Sequence, residues 1–496
     1  MTSTDLPPSL ADLIDRDAEL AELELSYAGL HATDKAVFRF LGLVPGPDID
    51  LAAAAALCGQ SIADVDRSLD RLVAADLVRR GRGDRYDLHD LSLRCAAEWV
   101  RRDEHTAERI AATYRLLDWY VGRATAAVRL CCPDTLRLPV KSSSGPQFAD
   151  RMAALTWLDA DAANLLAVIR HTSAHGPYRI AVRLADALCG YHRLRCADPD
   201  GLRCVDPGWL ESATAGLAAA TAANDVAGQC VTEFGLGDAY RCLGRDDETV
   251  EHYRQAVEHS RAGGWTAAEA VVSGNLGDVC RRLGRLPEAL SYYHKALRLY
   301  RKSGPRNGLA DTLDGLGLVY LALGRLDLAE KQLTESIVLH RKLGNAGALA
   351  AALDSLAGIH RDAGRTEAAL AAAAESLAIA AGTDDRCTEA EAANTLGSIR
   401  VEIGRYTDAV ADHERALRIG RKVGSPYLQT MALTGLARAN HLLGRRNRAR
   451  RAAEDAVAMS RHGGYPALER DSLAALAEIT RPATQQCDCG QSAMSL

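Results

Sequence analysis

A Gly-Arg pair recurs at 244/245, 284/285, 324/325, 364/365, 404/405 and 444/445, always 40 residues apart. A period held without drift constrains the fold more than composition can: each unit must be one supersecondary element that buries its apolar face on its neighbours. Other positions keep the same phase. Leu236, Leu276, Leu316, Leu356, Leu396 and Leu436 form one column, and Gly237, Gly277, Gly317, Ala357, Gly397 and Ala437 the next. Ala289, Ala329, Ala369, Ala409 and Ala449 follow, with Thr249 the exception; then come Ala256, Ala296, Ser336, Ser376, Ala416 and Ala456. Tyr240 and Tyr320 share a fifth column with Cys280 and His360. Small residues fit where helix backbones approach closely. The Gly of each Gly-Arg pair ends a first helix, because Gly takes the left-handed C′ conformation without a Cβ clash. Pro287 opens a second helix, where a missing N–H costs nothing. The spacing predicts two antiparallel helices per unit, 267–283 and 287–302 in one of them.

The pattern Leu-Gly-x-x-Tyr, then Ala, then an aromatic (Tyr253, Tyr293), then Ala resembles the tetratricopeptide repeat (TPR) family. The period is 40 rather than the common 34, which resembles the longer variants with extended helices and loops such as SGPRNG (303–308). The resemblance covers about 227–480. A partial first helix, RDSLAALAEIT (470–480), would cap the stack. The expected fold is all-α: a TPR superhelix, an α-solenoid, preceded by a helical linker region and a small winged-helix domain.

That domain is read from residues 31–90. HATDKAVFRFLGLV, DLAAAAALCG and SIADVDRSLDRLVAADL read as three helices, and VRRGRGDRYDLHD as two short strands around Gly81–Gly83. Three helices and a hairpin make a winged helix-turn-helix. The run LSYAGLHATDKAVFRFLGLVPGPDIDLAAAAALCG…LDRLVAADLV…RYDLHDL resembles the winged-helix segment of actinobacterial regulators of antibiotic production, which are signal-transduction ATPases with an NB-ARC module, a winged helix and TPRs. MAALTWLDADAANLLAVIRHTSAHG (152–176) and VRLADAL (182–188) resemble their linking helices. The expected organisation is a lead-in helix (1–30), a winged-helix domain (31–105), a helical region with degenerate repeats and a loop near 133–148 (106–225), about six repeats with a capping helix (226–480) and a flexible tail (481–496).

In that family an ATPase module precedes the winged helix; here some 30 residues do. No GxxxxGK[ST] run occurs, so no phosphate-cradling loop is expected and no cofactor. The chain resembles the regulator's effector half without its motor. Asp87-Leu88-His89-Asp90 aligns with the family's Met-His-Asp motif, whose His senses a nucleotide phosphate; with no nucleotide domain in cis, His89 is expected to be structural and Asp90 to cap helix 91–103.

Net charge is −6, from 59 basic and 65 acidic residues, so no global basic field drives nucleic-acid binding. The N-terminus is acidic and lacks an apolar core, and the longest apolar run, near 368–382, contains Glu375 and is too short to span a bilayer. A cytoplasmic chain without a membrane partner is expected. Its 13 cysteines, an odd number, fit a reducing compartment. Cys189, His192, Cys196 and Cys204 have spacings that match no common zinc finger, and no metal site is expected; Cys487 and Cys489 lie in the polar tail. The helix at 62–76 carries Asp64, Asp66, Asp70 and Asp76 against Arg67 and Arg71, which opposes phosphates. The hairpin, with Arg79, Arg80, Arg82 and Arg85, is the better place for weak DNA binding.

No catalytic dyad or triad is evident, so the chain is not expected to be an enzyme. In a TPR array the first helices line the concave surface. Their recurring polar residues are Arg241, Arg281 and Arg361; Asp238, Asp278 and Arg438; and Asp314, Asp354 and Asn394, with Asn275 beside them. Such a groove fits a protein or peptide segment, with Arg able to clamp a carboxylate; the i,i+3 pairs Asp238–Arg241 and Asp278–Arg281 equally satisfy each other. The family resemblance implies a regulatory adaptor in transcriptional control or signalling of secondary metabolism, with a trans-acting ATPase or a transcription factor among candidate partners. The alternative is a DNA-binding transcriptional regulator using the wing.

Overall fold

A computed structural model describes residues 10–133, 135–139, 148–196, 207–303, 306–383 and 385–481. Cys204, Cys487 and Cys489, most of the 133–148 loop and most of the tail lie outside the described residues. The chain divides into two compact units. The first holds the described residues up to Arg245 together with Glu258–Gly263, and the second Asp246–Val257 and the chain from Gly264 onward.

The first unit begins with α1 (Leu10–Ala28), α2 (Ala32–Leu41), β1 (Ile49–Asp50), α3 (Leu51–Cys58), α4 (Ile62–Ala74), β2 (Arg79–Arg80), β3 (Arg85–Asp87) and α5 (Asp90–Asp103). Side chains set the helix starts: Asp50 accepts from the Ala53 N–H at 2.7 Å and Ser61 from the Asp64 N–H at 3.2 Å. β3 lies between β1 and β2, antiparallel to both. The β1 strand adds a third strand to the expected hairpin; two residues show no alternation that a sequence could reveal. Val37, Phe38, Leu41, Ile49, Leu57, Leu69, Leu72 and Tyr86 fill the core beneath.

Five longer helices follow: α6 (Thr106–Cys131), α7 (Arg151–His175), α8 (Tyr178–Cys196), α9 (Pro207–Ala222) and α10 (Val226–Cys242). By length and composition α7 could cross a membrane. It instead buries Trp157, Leu158, Leu165, Val168 and Ile169, and carries buried Asp161 and Asn164 in mid-helix, which lipid would penalise. Those two polar side chains meet the hairpin. Arg85 reaches Asp48 at 2.6 Å and Asp161 at 3.0 Å, and Asn164 donates to Asp48 at 2.7 Å.

From α10 onward the chain alternates first and second helices. α11 is Asp246–Ala262, α12 Thr266–Arg282, α13 Leu286–Ser303, α14 Arg306–Ala322, α15 Leu326–Leu343 and α16 Ala346–Asp362. α17 is Thr366–Ala381, α18 Arg386–Glu402, α19 Tyr406–Lys422, α20 Pro426–Leu442, α21 Arg446–His462 and α22 Pro466–Thr480. Each Gly of the Gly-Arg column has a positive φ, between 69° and 79°. In the α12–α13 turn the Arg285 N–H reaches the Cys280 carbonyl at 2.8 Å and the Gly284 N–H the Arg281 carbonyl at 3.0 Å, the bond pair of a Schellman stop.

In the second unit the first helices pack on one another across repeats: α12 on α14, α14 on α16, α16 on α18, α18 on α20 and α20 on α22. Among the described residues the second helices make no comparable contact, so first helices form the tighter, inner face. Packing within a repeat is matched in size. A Cβ at Gly277 would lie 2.9 Å from the Tyr293 ring, one at Gly317 2.7 Å from Leu333, and one at Gly397 2.8 Å from His413. Where the second-helix residue is small, Ala373 or Ala453, the first helix carries Ala357 or Ala437. The next repeat is matched too: Tyr293 also presses on Gly315 and His413 on Gly435, whereas Ser355 follows Leu333 and Thr395 follows Ala373 in the same phase.

Candidate functional site

The inner face of the second unit is built from first-helix positions three to four residues apart, which share a face. Asp278 accepts the Tyr293 hydroxyl at 2.6 Å, and Arg281 sits 4.0 Å from the same carboxylate. Asn275 turns its amide back to the Val271 carbonyl at 3.0 Å. Asp314 accepts from His340 Nε2 at 2.9 Å. Arg361 pairs with Asp362 at 3.1 Å and approaches Glu402 at 3.8 Å. Arg438 pairs with Asp471 of α22. Arg281 and Arg361 keep 31% and 34% of their side chains exposed.

Two carboxylates here, Asp354 and Glu391, have no ion pair among the described residues. Asp354 accepts from the Thr395 hydroxyl at 3.1 Å, but its Oδ1 is buried without a hydrogen bond. Burial pushes its pKa up to about 6, against the opposing Thr395 bond and the charge of Arg361. Glu391, on the neighbouring first helix, is pushed up to about 7 by burial and then by the charges of Asp354 and Asp385. The repeat columns did not single out Glu391, because its phase is occupied by Val271, Asp311, Ala351 and Met431 elsewhere.

Three expected site residues are corrected. Asp238, in the first unit, is 1% exposed and lies 3.3 Å from Arg193 and 3.4 Å from Arg241. Asn394 is 2% exposed and takes its carbonyl oxygen to His413 Nδ1 at 3.1 Å. Both side chains are buried, and Arg241, with 33% of its side chain exposed, is engaged with Asp238. Arg85 is 14% exposed and held between Asp48 and Asp161; it fastens the hairpin to α7 and is largely withdrawn from the surface. Two other hairpin arginines are paired as well: Arg79 with Asp87 at 2.6 Å, and Arg80 with Asp70 at 2.7 Å while covering the Tyr86 ring. Arg82 is exposed at the turn.

His89, not Asp90, is the N-cap of α5, and it makes no side-chain capping bond. It opens on a cavity of about 640 Å³ whose walls include Glu19, Glu22, Arg79 and Arg94. Cys189 and His192 are buried, with the imidazole stacked on Trp209 at 5.7 Å; this is core packing. Asp311, Asp314 and His340 bring three potential metal ligands within 4.8 Å. Burial opposes the charged imidazole there, but the hydrogen bond to Asp314 and the two carboxylate charges outweigh it and hold the His340 pKa above its ordinary value.

The profile of the tetratricopeptide repeat family matches residues 228–302, 266–342, 308–381 and 388–462. The regulatory protein AfsR of Streptomyces coelicolor is 39% identical over 171 residues, 33% of this chain and 17% of that protein. AfsR of Streptomyces griseus is 38% identical over 166 residues, 32% and 17% of the two chains. The matched segments thus span about a sixth of these relatives. A crystal structure of a signal transduction ATPase with numerous domains and a tetratricopeptide repeat sensor, from Pyrococcus horikoshii, superimposes with a TM-score of 0.60 at 13% identity, over 96% of this chain and 62% of that one. At that identity the likeness is one of fold. The helix pairs between residues 228 and 462 are tetratricopeptide repeats.

Proposed function

We propose that this chain is a non-enzymatic regulatory adaptor that binds a protein or peptide segment along the inner face of its repeats, in transcriptional control or signalling of secondary metabolism. The observation that carries the reading is the carboxylate pair Asp354 and Glu391. Both are disfavoured as anions by burial, and Asp354 keeps a buried oxygen without a hydrogen bond. A basic side chain or backbone N–H of an inserted segment would satisfy them, and the half-exposed Arg281 and Arg361 would take its carboxylates. The likeness to AfsR supports the regulatory setting.

Residues 31–105 are proposed as a winged-helix domain used for packing on protein rather than for reading DNA, because Arg79, Arg80 and Arg85 are spent on Asp87, Asp70, Asp48 and Asp161. Affinity capture from the native host with mass spectrometry, comparing the wild-type chain with Arg281→Ala/Arg361→Ala and with Asp354→Asn/Glu391→Gln, tests the groove. Partners captured equally by all three proteins would move the binding surface elsewhere.

A further inference from the structure

The repeats supply internal controls for the charge at the start of each second helix. A helix N-terminus favours carboxylates, and the first turns of α13, α15, α17 and α19 carry Glu288, Asp327, Glu367 and Asp408. α21 breaks the rule: its first turn has no acid. The sequence there runs Arg445, Arg446, Asn447, Arg448, Ala449, Arg450, Arg451. All five arginines are exposed. Among the described residues the one ion pair they make is Arg450 with Glu454 at 3.6 Å. Arg445 stands in the column that is Arg in every repeat; there Arg285 and Arg365 pair with Asp247 at 3.1 Å and Glu330 at 2.6 Å, while Arg325 is exposed without an ion pair among the described residues. Arg405 of the preceding repeat, also exposed, extends the positive edge.

The fold does not need this arrangement. Guanidiniums beside the positive end of a helix oppose the dipole and repel one another. A lone charge run is usually a solvated face, but over the span matching 446–451 the sibling helices carry at least one acid in the first turn and at most one basic residue, whereas α21 carries four arginines and no acid. The chemistry of the patch narrows its occupant. A protein interface has an apolar or aromatic centre; between 445 and 451 the one residue that is not Arg or Asn is Ala449, and it is buried. No aromatic side chain stands in the run to stack an unpaired base. What remains is a row of charge. Arg445, Arg448 and Arg451 share one helix face over about 9 Å, and phosphates along one strand of a duplex are spaced on a comparable scale.

We propose that the start of α21 docks on the phosphate backbone of duplex DNA, without sequence readout, through Arg445, Arg446, Arg448 and Arg451. This goes beyond partner capture in the groove and uses a different surface.

The test is fluorescence anisotropy of the full chain with a labelled duplex of arbitrary sequence, titrated at several salt concentrations. Four phosphate contacts predict a log–log salt slope of about −3 to −4, or roughly a 100-fold loss of affinity between 50 and 200 mM salt. Replacing Arg445, Arg446, Arg448 and Arg451 together with Ala should abolish the slope and weaken binding at least tenfold at 50 mM salt, with an unchanged circular dichroism spectrum. Arg79→Ala/Arg82→Ala and Asp354→Asn/Glu391→Gln should bind as the wild type does, which separates this surface from the wing and the groove. Absence of salt-dependent binding, a slope unaltered in the fourfold variant, or loss of binding in the wing variant overturns the proposal. So does tighter binding of an acidic polypeptide, such as polyglutamate, than of the duplex.

Discussion

Gly315→Ala puts the packing of the repeats to a test whose outcome turns on sign. Gly315 lies in the middle of α14, where Ala is intrinsically better than Gly by about 1 kcal/mol. If the space around it were open, the substitution would stabilise the array. The structure says otherwise: a Cβ at Gly315 would lie 2.5 Å from Tyr293 Cε1 and 2.6 Å from its oxygen. Tyr293 cannot retreat easily, being buried, wedged against Gly277 and tied to Asp278 through its hydroxyl. Overpacking of this kind costs about 1–3 kcal/mol, occasionally more, so the propensity gain should be outweighed and the midpoint of urea unfolding should fall. Gly358 is the matched control. It lies inside α16, and a Cβ added there would meet nothing within 4 Å, so Gly358→Ala should stabilise by about 0.5–1 kcal/mol. Tyr293→Leu, which copies the Leu333 solution of the following repeat, should make Gly315→Ala tolerable in the double variant. Circular dichroism against urea, with hydrogen exchange to localise the effect to α13 and α14, reads all four proteins. A Gly315→Ala chain at least as stable as wild type would refute the size-matching argument.

Leu316 is fully buried in the Leu column, so Leu316→Ala should cost about 2–5 kcal/mol, spread to adjacent repeats by nearest-neighbour coupling; an unchanged thermal transition would show the column misplaced. Glu391 titrates near 7 in the folded chain and near 4.3 unfolded, so the unfolded state releases its proton first and stability drains away as pH rises from about 4.5 to about 7. Glu391→Gln should therefore raise the melting temperature at pH 8, by an amount worth up to about 4 kcal/mol at about 1.4 kcal/mol per pH unit, and do little at pH 4; equal effects at both pH values would count against the shift. Arg281→Ala/Arg361→Ala should weaken capture of a groove partner at least tenfold, the loss of charge-assisted hydrogen bonds of about 1.5–3 kcal/mol, while Glu258→Ala leaves it unchanged; quantitative pull-down checks both.

What could be read from the sequence was local. The Gly-Arg stop, the small columns and the helix limits depend on residues within one 40-residue period, and 267–283 and 287–302 became 266–282 and 286–303. What could not be read was which polar groups are consumed. Asp238 is buried because Arg193, 45 residues earlier, reaches it, and Arg85 because Asp161, 76 residues later, lies on a helix that the hairpin packs against. Asn394 is drawn inward by His413, a residue standing where other repeats have Tyr, Leu or Ala. The two-residue β1 strand carries too little pattern to announce itself. Conversely, the arginines at 445–451 were visible as letters, but only alignment with the acidic first turns of sibling helices gives them meaning.

Equal spacing invites the view that these repeats are interchangeable parts, and the junctions contradict it. Removing residues 305–344 would keep the period intact yet set Tyr293 against Ser355 instead of Gly315. Removing 385–424 would leave Ala373 facing Gly435 in place of Thr395, a hole rather than a collision. One deletion overfills a seam and the other empties one, and both are costly in a close-packed interior. The array therefore has a grammar as well as a metre: a new unit gained by copying fits its place in the order only after residues on both sides of the seam have exchanged volume.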